Sequence, residues 1–142
     1  MQVKDIMTRN VECTHPDIIL QDAAQRMRDL DVGPLPVCGE NDRLVGMLTD
    51  RDIAIRAVAE GRDPRTTPVR DAMTLEVVYC FENQDVAEAA KLMEDKQLRR
   101  LVVLNDQKRL TGILSLGDLA VRNRDEQLSA EALEGVSEPV DL

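Results

Sequence analysis

Two stretches of the chain place apolar residues three and four positions apart, with polar residues between them. The first covers residues 21–31 and the second residues 85–96. This spacing predicts two amphipathic helices, each burying one face. A Gly33–Pro34 turn is predicted to end the first helix. The apolar positions are Ala23, Ala24, Met27 and Leu30 in the first helix and Val86, Ala89, Ala90 and Met93 in the second.

Runs of strand-forming residues bounded by turn residues follow each helix and predict two β-hairpins. A further helix follows each hairpin, and a short extended segment precedes each amphipathic helix. Each half of the chain therefore reads strand, helix, strand, strand, helix, which is a mixed α+β (α/β) class. The extended segments are residues 11–14 and 77–79, the hairpins 35–38 with 43–48 and 101–104 with 109–114, and the last helices 50–59, capped by Gly61, and from Leu116.

The element order recurs because the sequence itself repeats at an offset of 66 positions. Val3–Thr8 returns as Val69–Thr74, and Arg43–Asp52 returns as Arg109–Asp118. Units of this size usually cannot bury their apolar faces alone. We therefore expect two β-α-β-β-α copies that pack on each other around a pseudo-twofold axis.

The repeat also predicts the boundaries of the copies. The first copy covers residues 1–61, a short connector bounded by prolines residues 62–68, and the second copy residues 69–122. An acidic tail, residues 123–142, follows. Within it, residues 126–134 are predicted to be helical and residues 136–142 frayed.

Composition narrows the class of protein. Aromatic residues make up 1% of the chain, so the core must be aliphatic. A net charge of −9 argues against binding to a nucleic-acid backbone or to an anionic membrane surface. No apolar run is long enough to span a membrane, and the first residues lack the layout of a signal peptide. A cytoplasmic location is the resulting expectation.

Three cysteines leave several interpretations open. Cys13, Cys38 and Cys80 are an odd number, which does not indicate a disulfide framework. They can be small buried apolar residues, or Cys13 and Cys38 can form a redox pair if their strands are neighbours. Zinc is the weakest interpretation, because there is no C-x-x-C motif and His15 is the single histidine.

Catalytic chemistry is not indicated. His15 lies beside Pro16 in a predicted loop with no partner evident in the sequence. No cysteine–base pair or pair of acids assembles into a recognisable catalytic arrangement. We therefore predict no catalytic residues and no metal ligands.

A polar pair closes each copy. Thr49 and Ser115 end a strand, and Asp52 and Asp118 follow three residues later in the first turn of a helix. This spacing is typical of a capping box, which needs no ligand. A glycine three residues before each hydroxyl, free N–H groups at a helix start and an acid suited to a ribose diol also make a plausible nucleotide site.

The paired motifs resemble the cystathionine-β-synthase (CBS) domain. The motifs are G-M-L-T-D-R-D and G-I-L-S-L-G-D, each preceded about 38 residues upstream by D-I-M-T or D-A-M-T. The resemblance covers residues 3 to about 122 and both copies, as in stand-alone Bateman modules of small bacterial proteins. It implies two β-α-β-β-α units whose clefts bind AMP, ADP, ATP or S-adenosylmethionine, with no cofactor required.

The resemblance also implies site residues. Asp52 and Asp118 would hold ribose hydroxyls, with Thr49 and Ser115 beside ribose or phosphate. Arg99 and Arg100 resemble phosphate-contacting residues, although they can equally be solvated charges. Arg51 lies between hydroxyl and acid where the second copy has Gly117, so the two clefts differ. Residues near Val11 and Val37 in one copy, and Val77 and Val103 in the other, would line the base.

Two functions therefore remain. The first is a non-catalytic sensor that binds an adenine nucleotide and passes the signal to an unknown protein partner or to its own self-association. The second is a dimeric interaction scaffold of the same fold that binds no nucleotide, with or without a cysteine redox switch. Apolar residues such as Ile55, beyond those one module needs, predict a homodimer in either case.

Overall fold

The computed structural model describes residues 1–122 and 133–136 and divides the chain into two compact units. The first unit is Glu12–Val77, and the second unit combines Met1–Val11 with Val78–Leu142. Each unit thus holds the hairpin of one sequence copy and the opening segment of the other. We call residues 3–8 and 69–74 the lead-in segments. The helix predicted over residues 126–134 lies mostly outside the described residues, as does the frayed end.

The first unit contains helix α1 (Leu20–Leu30), strands β1 (Pro34–Cys38) and β2 (Leu44–Thr49), and helix α2 (Asp50–Ile53). The two strands pair antiparallel and form the predicted hairpin. The helix predicted over residues 50–59 changes character along its length, because α2 continues as a π-helical segment over Ala54–Val58. Gly61 follows with a φ of 73°, in keeping with its predicted capping role.

The second unit repeats this order. It contains β3 (Tyr79–Phe81), α3 (Val86–Lys96), β4 (Arg100–Leu104), β5 (Leu110–Ser115) and α4 (Leu116–Arg122). Strand β4 lies in the middle of a three-stranded sheet, parallel to β3 and antiparallel to β5. The strand predicted over residues 77–79 begins two residues late, at Tyr79.

Pro16 and His15 explain why the first unit has a two-stranded sheet where the second unit has three strands. In the second unit the backbone N–H of Glu82 donates to Leu104 O (2.9 Å). The corresponding residue of the first unit is Pro16, which has no N–H. His15 Nδ1 donates to Cys38 O instead, at 2.8 Å, which places its proton on Nδ1. The edge strand therefore shrinks to a single parallel bridge between Thr14 and Val37.

The amphipathic helices begin and end in equivalent ways. The first N–H of α1, at Leu20, donates to Thr67 O (2.9 Å), and that of α3, at Val86, donates to Met1 O (3.0 Å). Helix α1 ends at Leu30, because Asp31 adopts a left-handed conformation with φ 55°. The expectation that Gly33–Pro34 ends this helix is therefore wrong by two residues.

The core of each unit is aliphatic, as predicted, and each includes residues of a lead-in segment. Leu30 departs from the predicted apolar face, since it is 39% exposed. The first core consists of Leu20, Ala23, Met27, Leu35, Val37, Leu48, Ala57, Val69 and Ala72. The second consists of Val3, Ile6, Met7, Cys80, Val86, Ala89, Ala90, Met93, Leu101, Val103, Leu114 and Leu119.

The three cysteines are free thiols. Burial raises the pKa of Cys80 from 9.0 to about 12. Burial, and then the neighbouring Cys13 and Asp42, raise the pKa of Cys38 to about 12 as well. Both buried thiols therefore stay protonated at pH values where the unfolded chain has lost these protons.

This difference predicts a loss of stability in alkali. Between the unfolded pKa of 9.0 and the folded pKa of about 12, the thiol loses its proton only in the unfolded state. This deprotonation stabilises the unfolded state relative to the folded one as the pH rises. From pH 8 to pH 10 each buried thiol should lower the free energy of unfolding by about 1.4 kcal/mol. Urea unfolding at both pH values should show a smaller pH effect for Cys80→Ala than for Val86→Ala, which trims the same core. An equal pH effect in both variants would refute the assignment.

Candidate functional site

Each lead-in segment ends with a threonine that pairs with the middle of a hairpin strand. In the first unit Thr74 N donates to Met47 O (2.8 Å), and Met47 N donates to Thr74 O (2.9 Å). In the second unit Thr8 and Ile113 exchange the same two bonds, at 2.9 and 3.0 Å. These bridges bring a threonine hydroxyl close to the hydroxyl that ends the strand and to the acid that follows it in the same unit.

The motif glycines make this approach possible. A Cβ placed on Gly112 would lie 2.7 Å from both Met7 Sδ and Thr8 O, and one on Gly46 would lie 2.9 Å from Thr74 O. Real Cβ atoms do not come this close to backbone oxygen. Glycine is therefore required at both positions by the lead-in segment that crosses over the strand.

The first cluster consists of Thr49, Asp52 and Thr74. Asp52 N donates to Thr49 Oγ1, and Thr49 N donates to Asp52 Oδ2, each at 3.0 Å. Thr74 Oγ1 lies 3.5 Å from both carboxylate oxygens of Asp52, at the long limit of a hydrogen bond. All three residues are half-buried.

The second cluster consists of Thr8, Ser115 and Asp118, and it has the same geometry. Asp118 N donates to Ser115 Oγ, and Ser115 N donates to Asp118 Oδ2, each at 3.0 Å. Thr8 Oγ1 donates to the two carboxylate oxygens over 3.3 and 3.4 Å. Asp118 is 8% exposed, so its carboxylate is the more deeply buried of the two acids.

The predicted capping boxes are thus confirmed, and each carries a third group. The backbone N–H and the lead-in hydroxyl compensate part of the cost of burying a carboxylate. A carboxylate accepts hydrogen bonds only, and its two oxygens can take a diol as readily as a single hydroxyl. The threonine contacts, at 3.3 to 3.5 Å, are longer than the 3.0 Å bonds of the capping boxes.

The predicted basic residues lie beside the clusters. Arg100 pairs with Ser115 across the β4–β5 hairpin, and Arg99 O accepts from Leu116 N (3.0 Å). Arg51 is the second residue of α2, between Thr49 and Asp52 in sequence. All three arginines are exposed, and none forms an ion pair with another described residue.

The predicted base-lining valines separate into two groups. Val37 and Val103 are 0% exposed. They lie within the cores of the first and second units, so they pack behind the hairpin surface and not at it. Val11 and Val77 are half-buried. Because of the exchanged lead-in segments, Val11 belongs to the unit of Asp118, and Val77 to the unit of Asp52.

Sequence reasoning missed Thr8 and Thr74 as members of the clusters. Both were visible as the last residues of the repeated lead-in motif. What the sequence did not show is the hairpin that each lead-in segment contacts. Nothing local in residues 3–8 distinguishes the neighbouring copy from the distant one.

The rest of the described structure offers no second site that involves the predicted residues. Among residues 1–122 and 133–136, no three His, Cys, Asp or Glu side chains are grouped so as to hold a metal ion. The helices of that part of the chain are too short or too polar to cross a membrane. A surface cavity of about 390 Å³ beside α1 contains none of the predicted site residues.

Comparison with known proteins identifies relatives across most of the chain. The CBS domain-containing protein YhcV of Bacillus subtilis is 44% identical to this chain over 135 residues, which cover 95% of this chain and 94% of that protein. Hypoxic response protein 1 of Mycobacterium tuberculosis is 38% identical over 139 residues, 98% of this chain and 96% of that protein.

Solved structures show the same fold. Hypoxic Response Protein I with two coordinated zinc ions has a TM-score of 0.75 at 42% identity, over 84% of this chain and 97% of that one. CBSX2 in complex with AMP has a TM-score of 0.72 at 28% identity, over 84% and 93%. The CBS domain pair of MJ0100, in complex with 5′-methylthioadenosine and S-adenosyl-L-methionine, has a TM-score of 0.71 at 28% identity, over 84% and 93%.

The family comparison agrees with the repeat seen in the sequence. The CBS domain matches twice, over residues 3–58 and 69–123. Both matches contain a lead-in segment, a hairpin and a hydroxyl–acid pair. The chain belongs to the CBS-domain family and carries two CBS domains.

Proposed function

We propose that this protein is a non-catalytic regulatory module that binds adenosine-containing compounds at its two clusters. The observation that carries the proposal is the hydroxyl–acid–hydroxyl arrangement, built twice with nearly the same distances. Related CBS pairs support the ligand class, since CBSX2 is in complex with AMP and MJ0100 with 5′-methylthioadenosine and S-adenosyl-L-methionine.

The carboxylate is the centre of the proposed interaction. Ribose O2′ and O3′ hydroxyls donate to Asp52 or Asp118, in the place of the lead-in threonine hydroxyl. The threonine contacts of 3.3 to 3.5 Å are long, so their loss costs little. The short bonds of the capping box, at 3.0 Å, stay in place and hold the carboxylate toward the ligand.

Neighbouring residues complete the proposed site. Thr49 and Ser115 lie beside the ribose, and the exposed Arg51 and Arg100 are placed to meet a phosphate. Val11 and Val77 offer half-buried apolar surface to the base, whereas Val37 and Val103 are fully buried in the cores and act only through the hairpins they support. The base therefore needs no aromatic partner.

A ligand can regulate only if it prefers one state of the protein. Replacement of a threonine contact would alter the lead-in segment, which supplies core residues such as Val3 and Val69. The signal then passes from the carboxylate into the core of the unit. It requires a readout by a protein partner or by self-association.

Exposed apolar residues make a homodimer our proposal for the assembly. Ile55 and Val58 are 47% and 64% exposed on the π-helical segment that continues α2. Large apolar side chains that project together from a helical segment favour contact with another protein surface. The same segment begins two residues after Asp52, so it is placed to report on the first cluster.

Titration calorimetry tests the proposed ligand class. AMP, ADP, ATP and S-adenosylmethionine are added separately to the full chain, with GMP as the control for the base. At least one adenosine compound should release measurable heat, and at 100 times its dissociation constant it should stabilise the fold by about 2.7 kcal/mol. If none binds at millimolar concentration, the proposal fails and the nucleotide-free scaffold is supported.

A further inference from the structure

The segment that precedes Pro16 is attached to the first unit by few backbone bonds. Thr14 N donates to Pro36 O, and Thr14 O accepts from Cys38 N, each at 2.9 Å. These bonds form the single parallel bridge between Thr14 and Val37. In the second unit the whole of strand β3 pairs with β4 at the equivalent place. The first unit therefore lacks backbone bonds that hold this edge in the second.

The bridge places two cysteines on one face of the first unit. Thr14 and Val37 are paired, and they are only 1% and 0% exposed, so their side chains lie on the inward face. Successive side chains of an extended segment point to opposite faces. Cys13 and Cys38 flank the bridge and therefore share the other face. In keeping with this arrangement, the thiol of Cys38 interacts directly with that of Cys13.

Neighbouring side chains fix the backbone at both cysteines. Arg26 Nη1 donates to Cys13 O at 2.7 Å, and His15 Nδ1 donates to Cys38 O at 2.8 Å. The two thiols differ in access, because Cys13 is half-buried and Cys38 is 0% exposed. A dissolved oxidant therefore reaches Cys13 first, and Cys38 is placed to react with Cys13 in a second step.

We propose that Cys13 and Cys38 form a reversible disulfide, which makes the first unit a site of redox modification. The oxidant is a small-molecule disulfide such as oxidised glutathione. The thiolate of Cys13 attacks one sulfur of that disulfide, which forms a mixed disulfide and releases one glutathione. Cys38 then attacks the sulfur of Cys13 and releases the second glutathione. The two thiol protons of the protein end on the two glutathione molecules, which take up the two electrons that the protein loses.

The second unit does not carry this pair. At the repeat offset of 66 positions, Tyr79 corresponds to Cys13 and Leu104 to Cys38. Cys80, the cysteine of the second unit, is buried in its aliphatic core. The disulfide gives the first unit a covalent attachment where the second unit has strand pairing. Oxidation therefore stabilises one unit and leaves the other unchanged.

Equilibration with glutathione tests the site in the full chain. The protein is incubated with mixtures of reduced and oxidised glutathione, free thiols are alkylated in denaturant, and mass spectrometry locates the disulfide. We expect one bond within the chain, between Cys13 and Cys38, with Cys80 recovered as a thiol. The oxidised protein should unfold at a temperature roughly 5–10 °C higher than the reduced protein, because a disulfide restricts the unfolded chain.

Single variants test the order of the two steps. Cys38→Ser should retain one glutathione on Cys13 as a stable mixed disulfide, because the second thiol is missing. Cys13→Ser should leave Cys38 as a free thiol, because that side chain is buried. Cys80→Ala is the matched control, since it removes a buried thiol of the other unit. It should form the same disulfide as the wild type, with the same rise in unfolding temperature on oxidation.

Three results would overturn the proposal. The first is that Cys13 and Cys38 remain thiols at every glutathione ratio. The second is a disulfide that includes Cys80 or joins two chains. The third is a bond between Cys13 and Cys38 that leaves the unfolding temperature unchanged, which would refute its stabilising role. None of these readouts requires a nucleotide, so their failure leaves the proposed function standing.

Discussion

Replacement of Gly112 by alanine should be strongly destabilising. The new Cβ would lie 2.7 Å from Thr8 O and from Met7 Sδ. The methionine side chain can move, but the carbonyl is fixed by the bridge between Thr8 and Ile113. Relief of the clash therefore requires the lead-in segment to move away from the hairpin. Val3 and Ile6 belong to this segment, so the movement also withdraws them from the core. We expect the free energy of unfolding to fall by about 3 kcal/mol.

Gly117 provides the matched control for this variant. It is exposed in α4, and a Cβ there would meet only Ser115 Oγ, at an ordinary 3.5 Å. Gly117→Ala should leave stability unchanged or raise it by up to about 1 kcal/mol, because alanine favours a helix. Urea unfolding of both variants measures the difference. Equal midpoints would contradict the proposed crossing of the lead-in segment over Gly112.

Loss of the Asp118 carboxylate should remove binding of AMP at the second cluster. Hydrogen bonds to a charged group contribute about 1.5–3 kcal/mol each, so Asp118→Ala should weaken binding at least roughly 10-fold. The variant also loses the carboxylate half of the capping box on α4, in which Ser115 N donates to Asp118 Oδ2, and this by itself lowers stability by about 1 kcal/mol. Binding and stability must therefore be measured separately, by calorimetry and by urea unfolding.

Asp85 allows the two effects to be distinguished. It caps α3 of the same unit, where its carboxylate accepts from Ala87 N at 2.8 Å. Asp85→Ala should lose a similar stability from a missing helix cap, yet bind AMP with the affinity of the wild type. If both variants bind AMP equally well, Asp118 serves only as a cap and the second cluster is not a ligand site.

Local patterns in the sequence predicted most of the elements. The apolar spacing of residues 21–31 and 85–96 and the turn residues of both hairpins act within a few positions, so they are readable without the fold. The capping boxes are local as well, because hydroxyl and acid lie three residues apart. These features placed Thr49 with Asp52, and Ser115 with Asp118, before any coordinates.

Long-range pairing could not be predicted in the same way. The bridge from Thr8 to Ile113 joins residues far apart in sequence, and each lead-in motif is compatible with either hairpin. Burial of Val103 was also hidden, because residues 101–104 are buried on both faces of β4 and do not alternate. The role of His15 depends on the missing N–H of Pro16 and on the position of Cys38 O.

The most direct test of ribose binding is a titration of the full chain with AMP, in which ¹⁵N–¹H correlation spectra are recorded at each AMP concentration. The account predicts that the backbone amides of Ser115 and Asp118, and that of Thr8 in the lead-in segment, shift progressively until binding is saturated. Saturable binding in which these three amides keep their positions while signals elsewhere move would contradict it.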